Sequence, residues 1–244
     1  MCAWFHPLLD LLLPAYCPSC RHARGPGFCT ACVEECARIA HPCERCAAPR
    51  EHPDDPCQHC HGRGITHLST VHATFSYTGL LANCITRAKS HGDAALVGGL
   101  TELLHAPQLN ADAVCVIPPS PGRTHGPHLA SALARELAAQ LSLPFQKLLR
   151  IARPAAAQHA LTHADRQRNV QALFTAKSAP PSCILVDDLL TSGATATAAA
   201  GCLLTAGASR VHLVTLARTP SLSERISQAG EPKSLTDNDL FAGL

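Results

Sequence analysis

The segment from Cys183 to Thr195, CILVDDLLTSGAT, constrains the fold of this chain more than any other. It joins an apolar run to two carboxylates and then to a turn of small residues that leads into an Ala- and Leu-rich stretch. The pattern predicts a short buried strand over Ile184 to Val186 and a helix over Thr195 to Ala206. Polar groups therefore collect where a strand meets a helix, which is the ligand-binding edge of an open α/β sheet.

The turn after this strand has the chemistry of a phosphate site. Its backbone N–H groups would point at an anion from the start of a helix, where the helix dipole favours negative charge. Gly193 permits a close approach of the backbone. Asp187 and Asp188 precede the turn, and carboxylates accept hydrogen bonds from the vicinal hydroxyls of a sugar. We interpret the segment as a sugar-phosphate site; the alternative is an ordinary strand, turn and helix with a capping Thr or Ser.

At these residues the chain resembles the type I phosphoribosyltransferases, whose hallmark is an apolar strand, two acidic residues and a Thr/Ser-Gly-x-Thr loop. The resemblance implies that Asp187 and Asp188 contact the ribose of phosphoribosyl pyrophosphate (PRPP) and form the catalytic pair. It also implies that the loop binds the 5′-phosphate and that Mg²⁺ accompanies the substrate. The residues implied to bind PRPP in this segment are Asp187, Asp188, Leu189, Thr191, Ser192, Gly193, Ala194 and Thr195.

Four CxxC pairs lie within the first 60 residues and predict structural zinc. Two such pairs complete one closed Cys₄ site, so eight thiolates would hold two zinc ions. Sequential pairing, as in a double zinc ribbon, and interleaved pairing both fit the spacing. A redox CxxC pair and an iron–sulfur cluster are the competing interpretations. The predicted ligands are Cys17, Cys20, Cys29, Cys32, Cys43, Cys46, Cys57 and Cys60.

The chain is expected to be cytoplasmic, with reduced cysteines and no membrane span. The apolar run from Leu8 to Leu13 is interrupted by Asp10, has no Lys or Arg before it and is too short to span a bilayer, so it predicts a docking helix. The net charge of +2 indicates no global basic field. However, eight Lys or Arg and only two acidic residues lie between Arg123 and Lys177, and this local excess could face phosphates.

The whole arrangement, from residue 8 to residue 218, resembles the ComF family of competence-associated phosphoribosyltransferase-like proteins. In related enzymes the loop after an earlier strand meets the pyrophosphate, which implies that Arg123 is its charge partner here. Phosphoribosyl pyrophosphate, single-stranded DNA and competence proteins are the implied partners. Further matches to the family are Lys89 with Gly92, Pro118-Pro119, Gln158, Leu161, Arg166, Asn169, Val170 and Phe174.

Two departures from the family pattern favour binding over turnover. The family's Arg-Gly-Phe-Asn-Gln stretch is replaced by the residues from His125 to Leu129, and a Thr shortly before Gln158 is replaced by Ala155. Both changes remove hydrogen-bonding groups near the implied pyrophosphate side. Three functions therefore stand side by side: a PRPP-binding phosphoribosyltransferase with a role in competence, a non-catalytic protein that binds single-stranded DNA, and a scaffold.

Alternating strands and helices predict an α/β fold, a type I phosphoribosyltransferase-like parallel sheet flanked by helices, with a small N-terminal Cys-rich zinc module. We expect the module over 1–64, the phosphoribosyltransferase-like domain over 65–218 and a flexible tail over 219–244. The other predicted strands are Leu68 to Tyr77, Ala113 to Ile117, Phe145 to Leu148 and Val211 to Leu216, and the other predicted helices are Leu80 to Lys89, Ala94 to Leu104 and Leu129 to Leu141.

Overall fold

The computed structural model describes residues 15–25, 27–119, 127–152, 173–222 and 224–225. Within these ranges no helix is both long and apolar enough to cross a bilayer. The helices are α1 (Thr30–Glu34), α2 (Gly79–His91), α3 (Ala94–Glu102), α4 (Leu129–Leu141) and α5 (Ala194–Thr205). The strands are β1 (Thr70–Ser76), β2 (Ala113–Val116), β3 (Arg150–Ile151), β4 (Phe174–Thr175), β5 (Ser182–Leu190) and β6 (Arg210–Arg218).

Four strands form a parallel sheet in the order β1-β6-β5-β2. The central strands β5 and β6 are apolar and almost continuously buried, as expected for parallel strands that helices cover on both faces. One face packs against α2, α3 and α4, and the other packs against α5. The predicted α/β fold with a parallel sheet flanked by helices is therefore confirmed.

The predicted strand from Phe145 to Leu148 is absent from the sheet. Phe145 makes a single parallel bridge to Val114, flanked by one backbone hydrogen bond on each side. β2 continues to Val116, but the segment after Gln146 forms no further bridge to it. The extended segment instead reappears as β3, which pairs antiparallel with β4 in a separate two-stranded sheet.

The Cys-rich segment packs along the outer edge of β1. The Ile39 N–H donates to the Thr74 carbonyl at 3.2 Å, and the Val71 N–H donates to the Glu44 carbonyl at 2.7 Å. Residues 37–44 therefore satisfy backbone groups that the edge of a sheet would otherwise expose.

Some of the predictions concern residues outside the described ranges. They include the docking helix, Arg123, Ala155 and residues 226–244. The part of the predicted tail that is described is fastened to the sheet. The Thr219 N–H donates to the Leu190 carbonyl at 2.8 Å, and Arg218 pairs with Glu224 at 2.7 Å. The domain boundaries remain a prediction.

Candidate functional site

Strand β5 places two carboxylates at the carboxyl end of the sheet. The strand continues through Asp187 and Asp188 to Leu190, past the predicted end at Val186, because its parallel pairing with β6 continues as far as Arg218. Asp188 is buried and Asp187 is half-buried. The Asp188 N–H donates to Asp187 Oδ1 at 2.9 Å, which fixes the orientation of the first carboxylate.

Lys89 of α2 supplies a positive charge to this pair. Its Nζ lies 2.5 Å from Asp188 Oδ1. Burial, followed by the negative charge of Asp188, raises the pKa of Asp187 to about 7, and the more distant Lys89 charge opposes the rise. Lys89 therefore neutralises one carboxylate, while the other titrates near neutral pH.

Residues Thr191–Gly193 form the turn between β5 and α5, which we call the phosphate turn. Gly193 adopts φ +79° and ψ −1°, in the left-handed region that favours glycine, and is the N-cap of α5. It accepts a hydrogen bond from the Thr197 N–H at 2.8 Å through its carbonyl. The Ala194 N–H donates to Ser192 Oγ at 3.4 Å, but Gly193 has no side chain to cap the helix, so the next first-turn N–H groups of α5 are available to an acceptor such as an anion.

A cleft of about 380 Å³, the carboxylate cleft, brings the carboxylates and the phosphate turn together. Pro118 and Pro119 form another wall of it, where the family resemblance places the pyrophosphate. The predicted site residues that line it are Asp187, Asp188, Leu189, Thr191 and Thr195. The other lining residues are Lys89, Ile117, His128, Ile151, Leu173 and Phe174.

The other residues predicted to contact PRPP do not line this cleft of the described chain. Gly193 lines a small cavity of about 30 Å³ beside the turn, and Ser192 faces a second cleft on its far side. Ala194 begins α5 and lines none of these three cavities of the described chain. Arg123 lies outside the described residues.

Sequence reasoning did not assign Lys89 and His128 to the site. Lys89 carried a signal, because together with Gly92 it matched the ComF pattern. His128 carried none, because it lies in the stretch that departs from that pattern. Its ring caps the start of α4 by accepting from the Ser131 N–H at 3.3 Å.

The eight predicted zinc ligands form two separate groups of four thiols. Within each group the Sγ atoms lie within 4.8 Å of one another. The Cys20 and Cys29 sulfurs are 3.9 Å apart, and those of Cys46 and Cys57 are 3.6 Å apart. Tetrahedral zinc, with Zn–S bonds of about 2.3 Å, spaces sulfurs by about 3.8 Å, so both groups fit this ion. The first cysteine group is Cys17, Cys20, Cys29 and Cys32, and the second cysteine group is Cys43, Cys46, Cys57 and Cys60.

This grouping answers the pairing question in favour of sequential CxxC pairs. All thirteen cysteines among the described residues are free thiols, so no disulfide competes for these sulfurs there. Backbone N–H groups donate to the thiols, as from Arg45 to Cys43 Sγ at 3.4 Å and from Cys29 to Cys17 Sγ at 3.4 Å. Such donors stabilise thiolates, which are the form that binds a metal.

Comparison with known proteins agrees with this architecture. The family model of the phosphoribosyl transferase domain matches residues 125–241. DNA utilization protein YhgH of Salmonella typhi is 27% identical over 227 residues, covering 86% of this chain and 99% of that protein. The protein of the same name from Salmonella typhimurium is 26% identical with the same coverage. Two Cys₄ groups precede the matched domain in this chain. In its matched domain, its two cysteine groups and its relatives, this chain resembles the ComF family.

Two solved structures resemble this chain over part of its length. The allosteric regulatory enzyme of purine biosynthesis is 22% identical with a TM-score of 0.33, covering 49% of this chain and only 24% of that enzyme. The protein TT1426 from Thermus thermophilus is 20% identical with a TM-score of 0.31, covering 60% of this chain and 86% of that protein. Neither TM-score reaches 0.5, so the fold assignment rests on the sheet topology and the family match.

Proposed function

We propose that this protein binds PRPP in the carboxylate cleft. The observation that carries the proposal is the convergence of Asp187, Asp188 and the phosphate turn on one cleft. The two carboxylates would accept hydrogen bonds from the ribose hydroxyls, and N–H groups of the turn and of α5 would hold the 5′-phosphate. The match to the phosphoribosyl transferase domain supports the same ligand.

The reaction open to such a site is displacement of pyrophosphate by an acceptor nucleophile. The bond from C1′ to the pyrophosphate oxygen breaks, and a bond from the nucleophile to C1′ forms. Positive charge develops on the ribose ring, and we propose that Asp187 and Asp188 stabilise it. Mg²⁺, bound mainly to substrate oxygens, would neutralise the leaving pyrophosphate. Lys89 at the same cleft would add positive charge near that group.

Calorimetric titration of the zinc-loaded protein with PRPP and Mg²⁺ tests this proposal. The native protein is expected to bind, and the Asp187→Asn/Asp188→Asn variant should bind at least about tenfold more weakly, because it loses charged acceptors. Asp112→Asn is the matched control, since Asp112 accepts from the Ser182 N–H at the opposite end of β5. Absence of binding by the native protein would contradict the proposal.

We also propose that each cysteine group holds one structural zinc ion. Four thiolates at tetrahedral spacing leave no open coordination position, so the metal would hold the fold and take no part in chemistry. A cytoplasmic location is proposed with it, since free thiols persist in a reducing compartment. Metal analysis of purified protein should give two zinc ions per chain. Iron with visible absorbance would contradict this assignment.

A role in handling DNA is a second proposal, prompted by relatives that carry the name DNA utilization protein. The cleft on the far side of the phosphate turn, the arginine cleft, has a volume of about 730 Å³. Arg63, Arg218 and Arg225 line it, and none of its described lining residues is acidic. Binding of single-stranded DNA there should weaken steeply as salt rises and should weaken further in Arg63→Ala/Arg225→Ala. A flat salt response would contradict it.

A further inference from the structure

We propose that Ile65 is a positioning residue for the phosphate turn, through which the second cysteine group supports phosphate binding. The inference rests on the proposed PRPP function and extends it, because it links zinc at one of two similar sites to ligand affinity. The first cysteine group has no part in this link.

The contact between Ile65 and the phosphate turn is close. A methyl group added at Gly193 would lie 3.1 Å from Ile65 Cδ1 and 3.2 Å from Ile65 Cγ2. Gly193 itself is buried, although its neighbours Ser192 and Ala194 are exposed. The Ile65 side chain therefore forms the surface against which the N-cap of α5 rests.

Ile65 is held in turn by both halves of the second cysteine group. Its N–H donates to the Arg45 carbonyl at 3.1 Å, and Arg45 lies between the ligands Cys43 and Cys46. On the other half of the group, the Arg63 N–H donates to the Cys60 carbonyl at 2.9 Å, two residues before Ile65. The side chain of Ile65 also packs both on the apolar cluster of this group and on the core beneath α5.

A second observation places the same two structures side by side. The arginine cleft is lined by Cys46 and Cys60 as well as by Thr191 and Ser192, and Ile65 lines it too. The second cysteine group therefore lies next to the phosphate turn, with Ile65 at the point where they touch.

The physical consequence concerns preorganisation. Backbone N–H groups bind an anion well when they are already oriented, because binding then includes no cost of ordering the turn. Without the Ile65 side chain, or without metal to fix the loop that carries it, the turn would populate other conformations. Affinity would fall by the fraction of molecules that are not in the binding conformation. Only the 5′-phosphate end of the ligand would be affected.

Calorimetry on zinc-loaded Ile65→Ala tests the inference, with PRPP, ribose 5-phosphate and pyrophosphate as separate probes. PRPP and ribose 5-phosphate should bind roughly fivefold to tenfold more weakly, at the low end of typical coupling between sites, and pyrophosphate binding should not change. Ile39→Ala is the matched control, because Ile39 is also half-buried on the same core but pairs with β1. Zinc should remain at two ions per chain in both variants.

A merely structural role for Ile65 would lower thermal stability and leave affinity unchanged, and that result would overturn the inference while the proposed function stood. Failure of the native protein to bind PRPP would instead overturn the proposed function itself. If Ile65→Ala does not fold, Ile65→Val replaces it, since this variant removes only Cδ1, the atom nearest to a methyl at Gly193.

A double-mutant cycle between Ile65 and Gly193 tests the inference independently. Gly193→Ala should weaken PRPP binding in the native background, because alanine is strained at φ +79° and its methyl also meets Ile65. The same change should cost less affinity in the Ile65→Val background, where space has opened. Non-additive losses support the inference, and additive losses contradict it, since neighbouring residues couple and independent ones do not.

Discussion

Each cysteine group consists of four thiols at similar spacing, but the two groups contact different parts of the domain. At the first group, a methyl added to Gly99 of α3 would lie 2.7 Å from Phe28 and 3.0 Å from Pro18. At the second group, Glu44 pairs with β1 and Ile65 contacts the phosphate turn. We therefore expect metal at the first group to hold it against α3, and metal at the second group to support the phosphate turn.

The largest expected effect comes from removing one ligand from each group in turn. Cys29→Ser and Cys57→Ser should each lose about one zinc ion and, with it, several kcal/mol of local folding free energy. Only Cys57→Ser should weaken PRPP binding, by about tenfold or more. Metal analysis and calorimetry measure the two effects, with circular dichroism to verify that the sheet remains folded. Equal losses of PRPP affinity in the two variants would contradict a special role for the second cysteine group.

Two adjacent glycines of α3 test the contact made by the first group. Gly99→Ala should destabilise the protein by about 1–3 kcal/mol, because its methyl overlaps Phe28. Gly98→Ala should stabilise it by up to about 1 kcal/mol, because the position has no neighbour within 4 Å and alanine favours helix. Chemical denaturation measures both. PRPP affinity should stay unchanged, and a loss in Gly99→Ala like that in Ile65→Ala would contradict the division of roles.

The pH dependence of PRPP affinity separates the role of Asp187 in the cleft from the positioning role of Ile65. Burial and Asp188 raise the pKa of Asp187 to about 7. Between about pH 8 and about pH 6 its ionised fraction falls about tenfold, and PRPP affinity should fall with it. Calorimetry on Ile65→Ala should give the same slope at lower affinity, and Asp187→Asn should flatten the profile to that of the ligand alone.

Ionisation of Asp187 as pH rises should lower the free energy of unfolding of the unliganded protein, whereas it should raise the affinity for PRPP. The pKa of Asp187 in the folded state lies above its ordinary value of 3.8, so protonation stabilises the unliganded fold. That contribution is present below the ordinary pKa and is lost as pH rises through about 7. A native protein that gains stability towards alkaline pH relative to Asp187→Asn would contradict the assignment.

The smallest expected effect concerns Arg38, which lies between the two cysteine groups along the chain. The Arg38 guanidinium lies 4.9 Å from the centre of the Phe75 ring on β1. Arg38→Ala should cost about 0.5–1 kcal/mol of unfolding free energy, as expected for an exposed cation–π pair. Arg135→Ala is the matched control, because Arg135 lies at the same distance from Phe145, away from the module. Denaturation should give similar losses, and PRPP affinity should change in neither variant.

The sequence predicted those features that local patterns encode. The apolar strand, the acidic pair and the small-residue turn are consecutive, so their order alone indicated the site. The end of β5 was placed too early at Val186, because Asp187 and Asp188 are polar and only their pairing with β6 keeps them in a strand. The CxxC spacing predicted metal sites, but sequential and interleaved pairing satisfy that spacing equally.

The contacts that the sequence could not predict join distant segments. Lys89 and Asp188 are 99 residues apart, and their ion pair depends on α2 lying beside β5. Ile65 is a single apolar residue after a glycine, and nothing in its surroundings along the chain indicates Gly193 as its neighbour. Such pairs follow from the tertiary fold, which composition and periodicity do not specify.

The most direct test of the central claim is an equilibrium competition titration of the two zinc ions with a chelator, with and without PRPP and Mg²⁺. If zinc at the second cysteine group increases PRPP affinity, PRPP must increase zinc affinity there by the same factor. We predict that PRPP shifts one of the two zinc-release steps and that Cys57→Ser lacks the shifted step. A shift in neither step, in both, or in the one that remains in Cys57→Ser would contradict it.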